Sequence, residues 1–350
     1  MPRVNLAFLA FAMLSIVATP QVARADSVFY RLVSVIPLPT TDRSGDVVSF
    51  DPGNDDVYVS MGKGDGGGVV ISAKDDKIVA VIRHGITRPA GEAFGRHYVY
   101  WTSNTGHGAH QHDFITVVSK QTWRVVKTIP TVGTSPDGIW ADPKLGKLYV
   151  AMDDDNWVDI YTLGADPKFI GKIALTPKRG SGPDIGMLVS GKNELFIPDD
   201  SWEDEIDLNT DRITRAVDVS PASSLRVGRG IAQTKGQIYD PQTHSIWVAT
   251  DRDGIYALDS RTLKIEAHLP ARAGADEMAF DPGLQLVYGF ESDAAGFNVY
   301  NARTRKLVGF VSTGFRKTHT GAVDPANHDV FVYAGNDEAV LVYQPVLKSF

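Results

Sequence analysis

Six polar residues that could bind a cation or assist proton transfer recur at one offset from an aromatic residue. They are Asp46, Asp137, Asp184, Lys235, Asp276 and His319, and Ala90 takes the same place in a further repeat. Converging carboxylates repel one another, so some must stay protonated unless a cation or the lysine lies among them. Oxygen ligands beside one histidine suit Ca²⁺ or Mg²⁺, and such a mixed set also accepts Mn²⁺ or Zn²⁺.

The four aspartates of this set are therefore candidate ligands of a divalent cation. They are Asp46, Asp137, Asp184 and Asp276. The alternative is that each carboxylate accepts hydrogen bonds from backbone N–H groups of its own turn, as Ser-Pro-Asp-Gly sequences do. Both interpretations stay open at the level of sequence.

Two acidic runs that each place a tryptophan nearby form a second candidate site. The runs are Asp153–Trp157 and Asp199–Asp204. Matching tryptophan rings could stack on a sugar or an aromatic ligand, or they could pack over the ends of strands. The predicted ligand-binding residues are Asp154, Trp157, Asp200, Trp202 and Glu277, the last beside Asp276.

One glycine-rich loop contains a histidine cluster, His107, His110 and His112, followed by Asp113. Imidazole and carboxylate groups at these spacings could wrap a transition metal, which makes the loop a secondary metal candidate. The spacing matches no fixed zinc motif, so a solvated loop is the alternative.

These residues must be positioned by a repeated β-structure. Five Asp-Pro pairs are each followed by an aromatic residue seven positions after the aspartate: Asp51 and Tyr58, Asp142 and Tyr149, Asp240 and Trp247, Asp281 and Tyr288, Asp324 and Phe331. Short runs of β-branched and aromatic residues separated by Gly, Asp, Asn and Pro are typical of strands and turns. This pattern predicts a β-hairpin that is repeated along the whole chain.

The count of repeats predicts an all-β, seven-bladed β-propeller. Residues 26–350 divided by seven give about 46 residues per unit, within the roughly 40–50 of propeller blades. The fourth unit keeps Phe196 but has Val189-Ser190 in place of Asp-Pro. The last unit has only three strands, and the N-terminal strand Phe29–Ile36 is available to complete it and close the ring.

The first 25 residues have the pattern of a secretory signal peptide. Arg3 precedes an apolar run, and Ala23-Arg24-Ala25 matches a cleavage site. Residues 26–350 are then one propeller domain, periplasmic or secreted, with no membrane span after cleavage, and we expect a monomer. The chain has no cysteine, which excludes disulfides and covalent haem attachment, and its net charge of −7 argues against broad nucleic-acid binding.

The third unit resembles a known repeat. Val132–Ile139 followed by Lys147-Leu148-Tyr149-Val150-Ala151 is similar to the YVTN β-propeller repeat of secreted bacterial proteins, although Met152 replaces the usual Asn. The resemblance covers essentially the whole mature chain. It implies a propeller, but the family includes binding proteins, cell-surface proteins and lactonase-like enzymes.

Three functions are compatible with these features. The first is a binding or scaffold propeller that presents an acidic, Trp-containing face to a small molecule or periplasmic protein. The second is a metal-assisted lactonase or esterase in which His319 handles the proton and Lys235 steadies the oxyanion. The third is an accessory subunit of a periplasmic redox enzyme. No Gly-x-Ser-x-Gly elbow, phosphate-binding loop or dinucleotide fingerprint is present.

Overall fold

The computed structural model describes the backbone of residues 22–24 and residues 29–40, 45–62, 67–105, 112–176, 182–220, 233–291 and 293–346. In these ranges the chain forms seven antiparallel sheets, six of four strands and one of five. This confirms the predicted seven-bladed β-propeller. Within the same ranges no helix has the length and apolarity needed to cross a bilayer.

Each blade takes four strands in succession, innermost first. Blade 1 contains β3 (Val48–Asp51), β4 (Asp56–Ser60), β5 (Gly68–Ser72) and β6 (Lys77–Ile82). Blade 2 contains β7 (Pro89–Phe94), β8 (Tyr98–Ser103), β9 (Phe114–Ser119) and β10 (Val125–Pro130). Blade 3 contains β11 (Pro136–Asp142), β12 (Lys147–Met152), β13 (Trp157–Thr162) and β14 (Phe169–Ala174). Blade 4 contains β15 (Met187–Val189), β16 (Glu194–Asp199), β17 (Trp202–Asp207) and β18 (Arg212–Asp218).

The remaining blades follow the same order. Blade 5 contains β19 (Thr234–Asp240), β20 (Ser245–Thr250), β21 (Gly254–Asp259) and β22 (Ile265–Leu269). Blade 6 contains β23 (Ala275–Asp281), β24 (Leu286–Glu291), β25 (Gly296–Asn301) and β26 (Lys306–Ser312). Blade 7 contains β27 (Gly321–Asp324), β28 (Asp329–Ala334) and β29 (Ala339–Val346), and a short 3₁₀ helix, Gly335–Asp337, joins the last two.

The N-terminal strand β2 (Phe29–Pro37) pairs antiparallel with β29, so the ring closes as the sequence predicts. A short strand, β1 (Val22–Arg24), pairs in turn with β2 and makes blade 7 five-stranded. These three residues belong to the segment 1–25 that is predicted to be removed as a signal peptide, and the other residues of that segment lie outside the described ranges. Cleavage of that segment stays a prediction.

The fixed spacing of Asp-Pro and aromatic residues is a consequence of hairpin register. The aspartate ends the innermost strand, and its carboxylate accepts hydrogen bonds from backbone N–H groups of the turn. Asp142 Oδ1, for example, accepts one from Lys144 N at 2.8 Å. The aromatic residue on the next strand lies opposite the residue two places before the aspartate, as Tyr149 lies opposite Trp140. All five of these aromatic residues are fully buried. Blade 4 keeps this register without Asp-Pro, since Met187 pairs with Phe196.

The hydrophobic core lies between blades. Within the described residues each pair of neighbouring blades encloses one cluster of buried apolar side chains, for example Tyr149, Ile160 and Ile197 between blades 3 and 4. Because every blade is buried on both faces, its sheet is held in one orientation around the axis. The seven innermost strands therefore run side by side and place their amino ends at one mouth of the axial channel.

Candidate functional site

The aligned residues do converge at the amino ends of the innermost strands, which we call the mouth. In five blades the residue just before the aligned position pairs with the last residue of the second strand, as Pro136 does with Met152 and Thr234 with Thr250. The shared register places Ala90, Asp137, Asp184, Lys235 and Asp276 at one level. Asp46 and His319 precede β3 and β27 at the same depth, and we call these seven residues the ring.

Lys235 lies in the ring between two carboxylates. Its Nζ is 2.6 Å from Asp184 Oδ2 and 4.0 Å from Asp276 Oδ1, so blade 5 bridges blades 4 and 6. Asp184 also accepts a hydrogen bond from the neighbouring Ile185 N–H at 2.8 Å. The ion pair is only partly exposed, with 24% of the lysine and 17% of the Asp184 side chain accessible. A cation, the lysine itself, therefore already offsets part of the carboxylate repulsion.

Close backbone packing beneath the ring depends on glycine. A Cβ on Gly91 would lie 2.6 Å from the Asp137 carbonyl oxygen, and one on Gly236 would lie 2.9 Å from that of Asp276. Both contacts are closer than real Cβ atoms allow, so a side chain at either position would push neighbouring blades apart. Each of these glycines directly follows a ring residue. The local sequence thus sets the diameter of the channel just below the mouth.

A cavity of about 470 Å³ opens on one side of the mouth, at blades 6, 7, 1 and 2. Three carboxylates line it, together with one imidazole and two side chains of positive charge. They are Asp46, Asp276, Asp293, His319, Arg88 and Lys317. Blades 3, 4 and 5, which carry Asp137, Asp184 and Lys235, form the other side of the ring. The ring is therefore asymmetric, with the Lys235–Asp184 ion pair on one side and a cavity of mixed charge on the other.

Arg88 and Lys317 were not among the sequence candidates. Both have left-handed backbone conformations, with φ of 46° and 54°, which non-glycine residues seldom adopt. Ser135 and Gly274 share this conformation, and all four stand two residues before a ring position. Because Arg88 and Lys317 stand at a fixed distance before the ring residues, the same repeat spacing identifies them in the sequence. Nothing in the sequence, however, indicated that the position faces the channel.

Burial and mutual repulsion alter the acids of the mouth. The pKa of Asp137 is raised well above its ordinary value by burial first, then by Asp184 and Asp46, with Lys235 acting in the opposite direction. Burial is also the main cause of the strongly raised pKa of Glu277, and Asp184 and Asp276 add to it. Glu277 is buried one residue below the ring. Both groups therefore tend to hold a proton.

The two basic groups of the ring shift in opposite directions. Asp184 is the largest cause of the raised pKa of Lys235, which burial opposes, so this side chain stays charged. Burial lowers the pKa of His319, an effect that the Asp276 carboxylate only partly offsets. A neutral imidazole thus stands in the same cavity as several carboxyl groups. Such clusters of perturbed acids and bases are common at functional sites.

The ring contains the four aspartates that are predicted to bind a divalent cation. Over the described ranges, no three side chains of the His, Asp and Glu types group closely enough to hold one ion. The Lys235 ammonium lies where an ion bound by Asp184 and Asp276 would lie, so cation and lysine would compete for the same oxygens. Metal binding by Asp46, Asp137, Asp184 and Asp276 stays a prediction.

The acidic loop of blade 3 is anchored to the turn that precedes β11. Asp154 Oδ2 accepts a hydrogen bond from Ser135 Oγ at 2.7 Å, and Asp155 Oδ2 accepts two from Thr134. The Lys172 Nζ lies 3.5 Å from the centroid of the Trp157 ring, a cation–π contact that covers this ring. These contacts position Asp154 and Trp157 at the edge of the mouth.

The corresponding loop of blade 4 packs against blade 5. The buried Asp200 accepts hydrogen bonds through its carbonyl oxygen from Thr234 N at 2.6 Å and Thr234 Oγ1 at 2.8 Å. Trp202 begins β17, as Trp157 begins β13, so each tryptophan is the first residue of the third strand of its blade. Among the described aromatic contacts their rings do not touch each other. A shared stacking platform stays a hypothesis.

The histidine loop is described only at its end, because His107 and His110 lie outside the described residues. His112 donates its backbone N–H to Thr105 Oγ1 at 2.8 Å. The Asp113 carboxylate accepts hydrogen bonds from Thr105 N at 2.8 Å and Ser135 N at 2.7 Å. Asp113 therefore connects blades 2 and 3.

Comparison with known proteins supports the fold and nothing finer. No protein-family model and no curated protein sequence matches the chain. A chain of Kuenenia stuttgartiensis hydrazine synthase is similar with a TM-score of 0.71 and 16% identity, over 87% of this chain and 96% of that one. A chain of a mitotic checkpoint complex is similar with a TM-score of 0.72 and 11% identity, over 99% of this chain and 100% of that one. The resemblance to YVTN repeats stays a prediction.

Proposed function

We propose that this protein is a binding propeller that holds a small, polar, cationic or hydroxylated ligand in the cavity at the mouth. The observation that carries the proposal is the cavity of about 470 Å³ with carboxylates of blades 1 and 6 facing one space with Arg88 and Lys317. That volume lies in the roughly 300–1,000 Å³ range of small-molecule sites. The signal-peptide pattern supports placing the protein in the bacterial periplasm or outside the cell.

The backbone around the cavity supports the same proposal. Left-handed conformations at non-glycine residues cost about 1–3 kcal/mol each and persist where the surrounding structure requires them. Arg88 and Lys317 both have this conformation and both line the cavity. Ser135 and Gly274 have a positive φ at the same place in their blades, so the conformation belongs to the connection between blades, and at Arg88 and Lys317 this connection lines the cavity. Asp46 and Asp276 would bind the cationic or hydroxyl groups, and Arg88 and Lys317 would bind an acceptor at the other end of the ligand.

Calorimetric titration of the full chain with a panel of amino sugars, neutral sugars, polyamines and amino acids tests this proposal. A ligand at a hundred times its dissociation constant stabilises the protein by about 2.7 kcal/mol, which also raises the melting temperature visibly. We expect a paired Asp46→Asn and Asp276→Asn substitution to weaken binding at least tenfold. The matched control is Asp166→Asn, the same change on a carboxylate exposed on the outer side of blade 3.

Absence of binding by every member of the panel would contradict the proposal. Equal affinities for the paired variant and the control would place any binding outside the mouth. The acidic loops would then be the next target, and a further pair, Trp157→Ala and Trp202→Ala, would show whether a partner contacts them instead.

A metal-assisted hydrolase is the second candidate, favoured by the neutral His319 that shares the cavity with Asp276. In that case the ring aspartates would hold a divalent cation, and the imidazole would accept a proton from water or substrate. A cation bound to the ring would supply Lewis acidity and charge for a lactone or ester carbonyl.

Melting temperatures after EDTA treatment, with and without Ca²⁺, Mg²⁺, Mn²⁺ or Zn²⁺, separate the two candidates. A rise that is lost in an Asp137→Ala and Asp276→Ala variant, together with turnover of lactones or esters, would favour the hydrolase. A rise that persists in the variant would place the ion elsewhere, and His112 would then be the first ligand to substitute.

A further inference from the structure

A second cavity occupies the other end of the axial channel, where the innermost strands end. Its volume is about 730 Å³, and its lining begins one residue below the ring, at Val47, Gly91 and Glu277. Half-buried apolar side chains surround it, among them Phe50, Phe94, Leu188 and Phe280, with the more buried Trp140 beside them. We call this space the lower cavity. None of the described residues that line it is a lysine or an arginine.

A small number of polar groups converge inside this apolar wall. Glu92 is buried and accepts hydrogen bonds from Ser60 Oγ at 2.8 Å and Ser49 Oγ at 3.2 Å. Burial raises the pKa of Glu92 to about 8, so the group is a neutral carboxylic acid at neutral pH. A neutral carboxyl group carries one O–H donor. Gln237 of blade 5 also lines the cavity. Its Nε2 donates a hydrogen bond to the buried Glu203 of blade 4 at 2.6 Å.

We propose that the lower cavity binds an uncharged, largely apolar small molecule that carries one hydrogen-bond acceptor, with Glu92 as the donor to that acceptor. The apolar walls provide the driving force, because removal of hydrocarbon surface from water is favourable. Lys120, whose Nζ lies 5.4 Å from the centroid of the Phe94 ring, is already paired with Asp51. An anionic ligand would therefore lack a partner, and an unpaired charge is costly in such surroundings. This site lies directly below the polar site at the mouth, and Glu277, one residue below the ring, stands at its upper end.

The dimensions and chemistry agree with this class of ligand. The volume of about 730 Å³ falls in the upper part of the roughly 300–1,000 Å³ range of small-molecule sites, which are mostly apolar with a few convergent polar groups. Leu188 belongs to the shortest innermost strand, β15, and is half-buried at the cavity. A charged side chain there would lie in the path of an apolar ligand.

The first test is a titration of the full chain with Nile red, a neutral aromatic dye that has a carbonyl acceptor and brightens in apolar sites. We expect saturable binding at one site per chain. Leu188→Arg should weaken the affinity at least tenfold. The matched control is Leu307→Arg, the same change on a side chain that is 41% exposed on the outer strand of blade 6, which should leave the affinity unchanged.

The role of Glu92 is tested by comparing two dyes. Glu92→Met removes the donor and keeps a similar shape, so Nile red should bind about fivefold more weakly, the effect of one neutral hydrogen bond. Diphenylhexatriene, a hydrocarbon without an acceptor, should bind wild type and Glu92→Met alike. If Leu188→Arg does not fold, Phe280→Arg at the same cavity serves in its place.

Failure of Nile red to saturate, or equal losses for Leu188→Arg and Leu307→Arg, would overturn the proposal. Equal changes for both dyes in Glu92→Met would overturn the assignment of Glu92 as a donor and, with it, the ligand class. Neither result would bear on ligand binding at the mouth, because different probes and variants are used there.

Discussion

Aspartates stand at both ends of the same innermost strands, but they have different roles at the two ends. At the carboxyl ends, Asp142 and Asp281 accept backbone N–H bonds from their own turns at 2.8–3.1 Å. At the amino ends, Asp184 pairs with Lys235 of the next blade, and Asp137 is affected by the charges of Asp184 and Asp46. The same residue type thus maintains a local turn at one end and contributes to a shared electrostatic site at the other.

This difference shows that the role of a carboxylate depends on the partners around it. An aspartate inside an Asp-Pro turn finds donors within three residues, so its environment is decided by local sequence. An aspartate at the mouth faces groups from other blades, and its protonation depends on charges that are distant in sequence. The following predictions test this contrast. The first concerns Glu92, which lies between the two ends of its innermost strand, β7.

The largest effect should come from Glu92→Gln. The pKa of Glu92 is raised by burial from its ordinary value of 4.5 to about 8. Because the folded state binds the proton more tightly, stability is full below about pH 4.5 and falls as the pH rises through about 8. Relative to the variant, the wild type should lose roughly 3–5 kcal/mol between pH 5 and pH 9. Urea unfolding of both proteins at pH 5 and pH 9 measures the difference in their free energies of unfolding. If wild type and Glu92→Gln lost the same stability between these pH values, Glu92 would not be desolvated.

The next effect concerns the ion pair at the mouth. Lys235→Met leaves Asp184 and Asp276 without their shared cation, which should cost about 2–4 kcal/mol for this partly buried pair. Lys168→Met is the control, because Lys168 pairs with Asp166 on an exposed surface and should cause no measurable change. Chemical denaturation at pH 7 gives both values. Equal effects would mean that the ring carboxylates do not depend on Lys235.

A direct comparison uses the two ends of β23. Asp281→Ala removes the acceptor of Gly283 N at 2.8 Å and Leu284 N at 3.0 Å and the partner of His328 Nδ1 at 2.7 Å. The loss should be about 1–3 kcal/mol, since a fully buried carboxylate that accepts several hydrogen bonds is removed. Asp276→Ala at the mouth should cost less than half as much, because it also relieves repulsion among carboxylates. Calorimetric melting of both variants decides, and the reverse order would contradict the contrast.

The smallest effect is expected for Asp137→Asn. An amide keeps the shape of the side chain and removes an acid whose pKa is raised by burial and by neighbouring acids. At pH 7 the variant should be as stable as wild type or more stable by up to ~1 kcal/mol. A clear loss of stability in thermal melts would mean that the ionised carboxylate makes a contact that the amide cannot replace.

Sequence alone determined the number of blades, the closure by β2 and the ring positions. The reason is that hairpin register is local. Asp142 ends the innermost strand, and Tyr149 on the next strand lies opposite Trp140, two residues before Asp142. This register gives the spacing of seven residues, and it recurs in every Asp-Pro hairpin. Residues with one offset in each repeat must then share one level around the axis.

Only the tertiary structure decided which of these residues interact. Lys235 meets Asp184 across 51 positions of sequence, and Glu92 receives hydrogen bonds from Ser49 and Ser60 of the preceding blade. Arg88 and Lys317 are separated by most of the chain yet line one cavity. Distances between blades depend on packing around a closed ring, to which every blade contributes. The pattern of one repeat therefore predicts where a side chain stands, whereas the partners that determine its charge come from the whole ring.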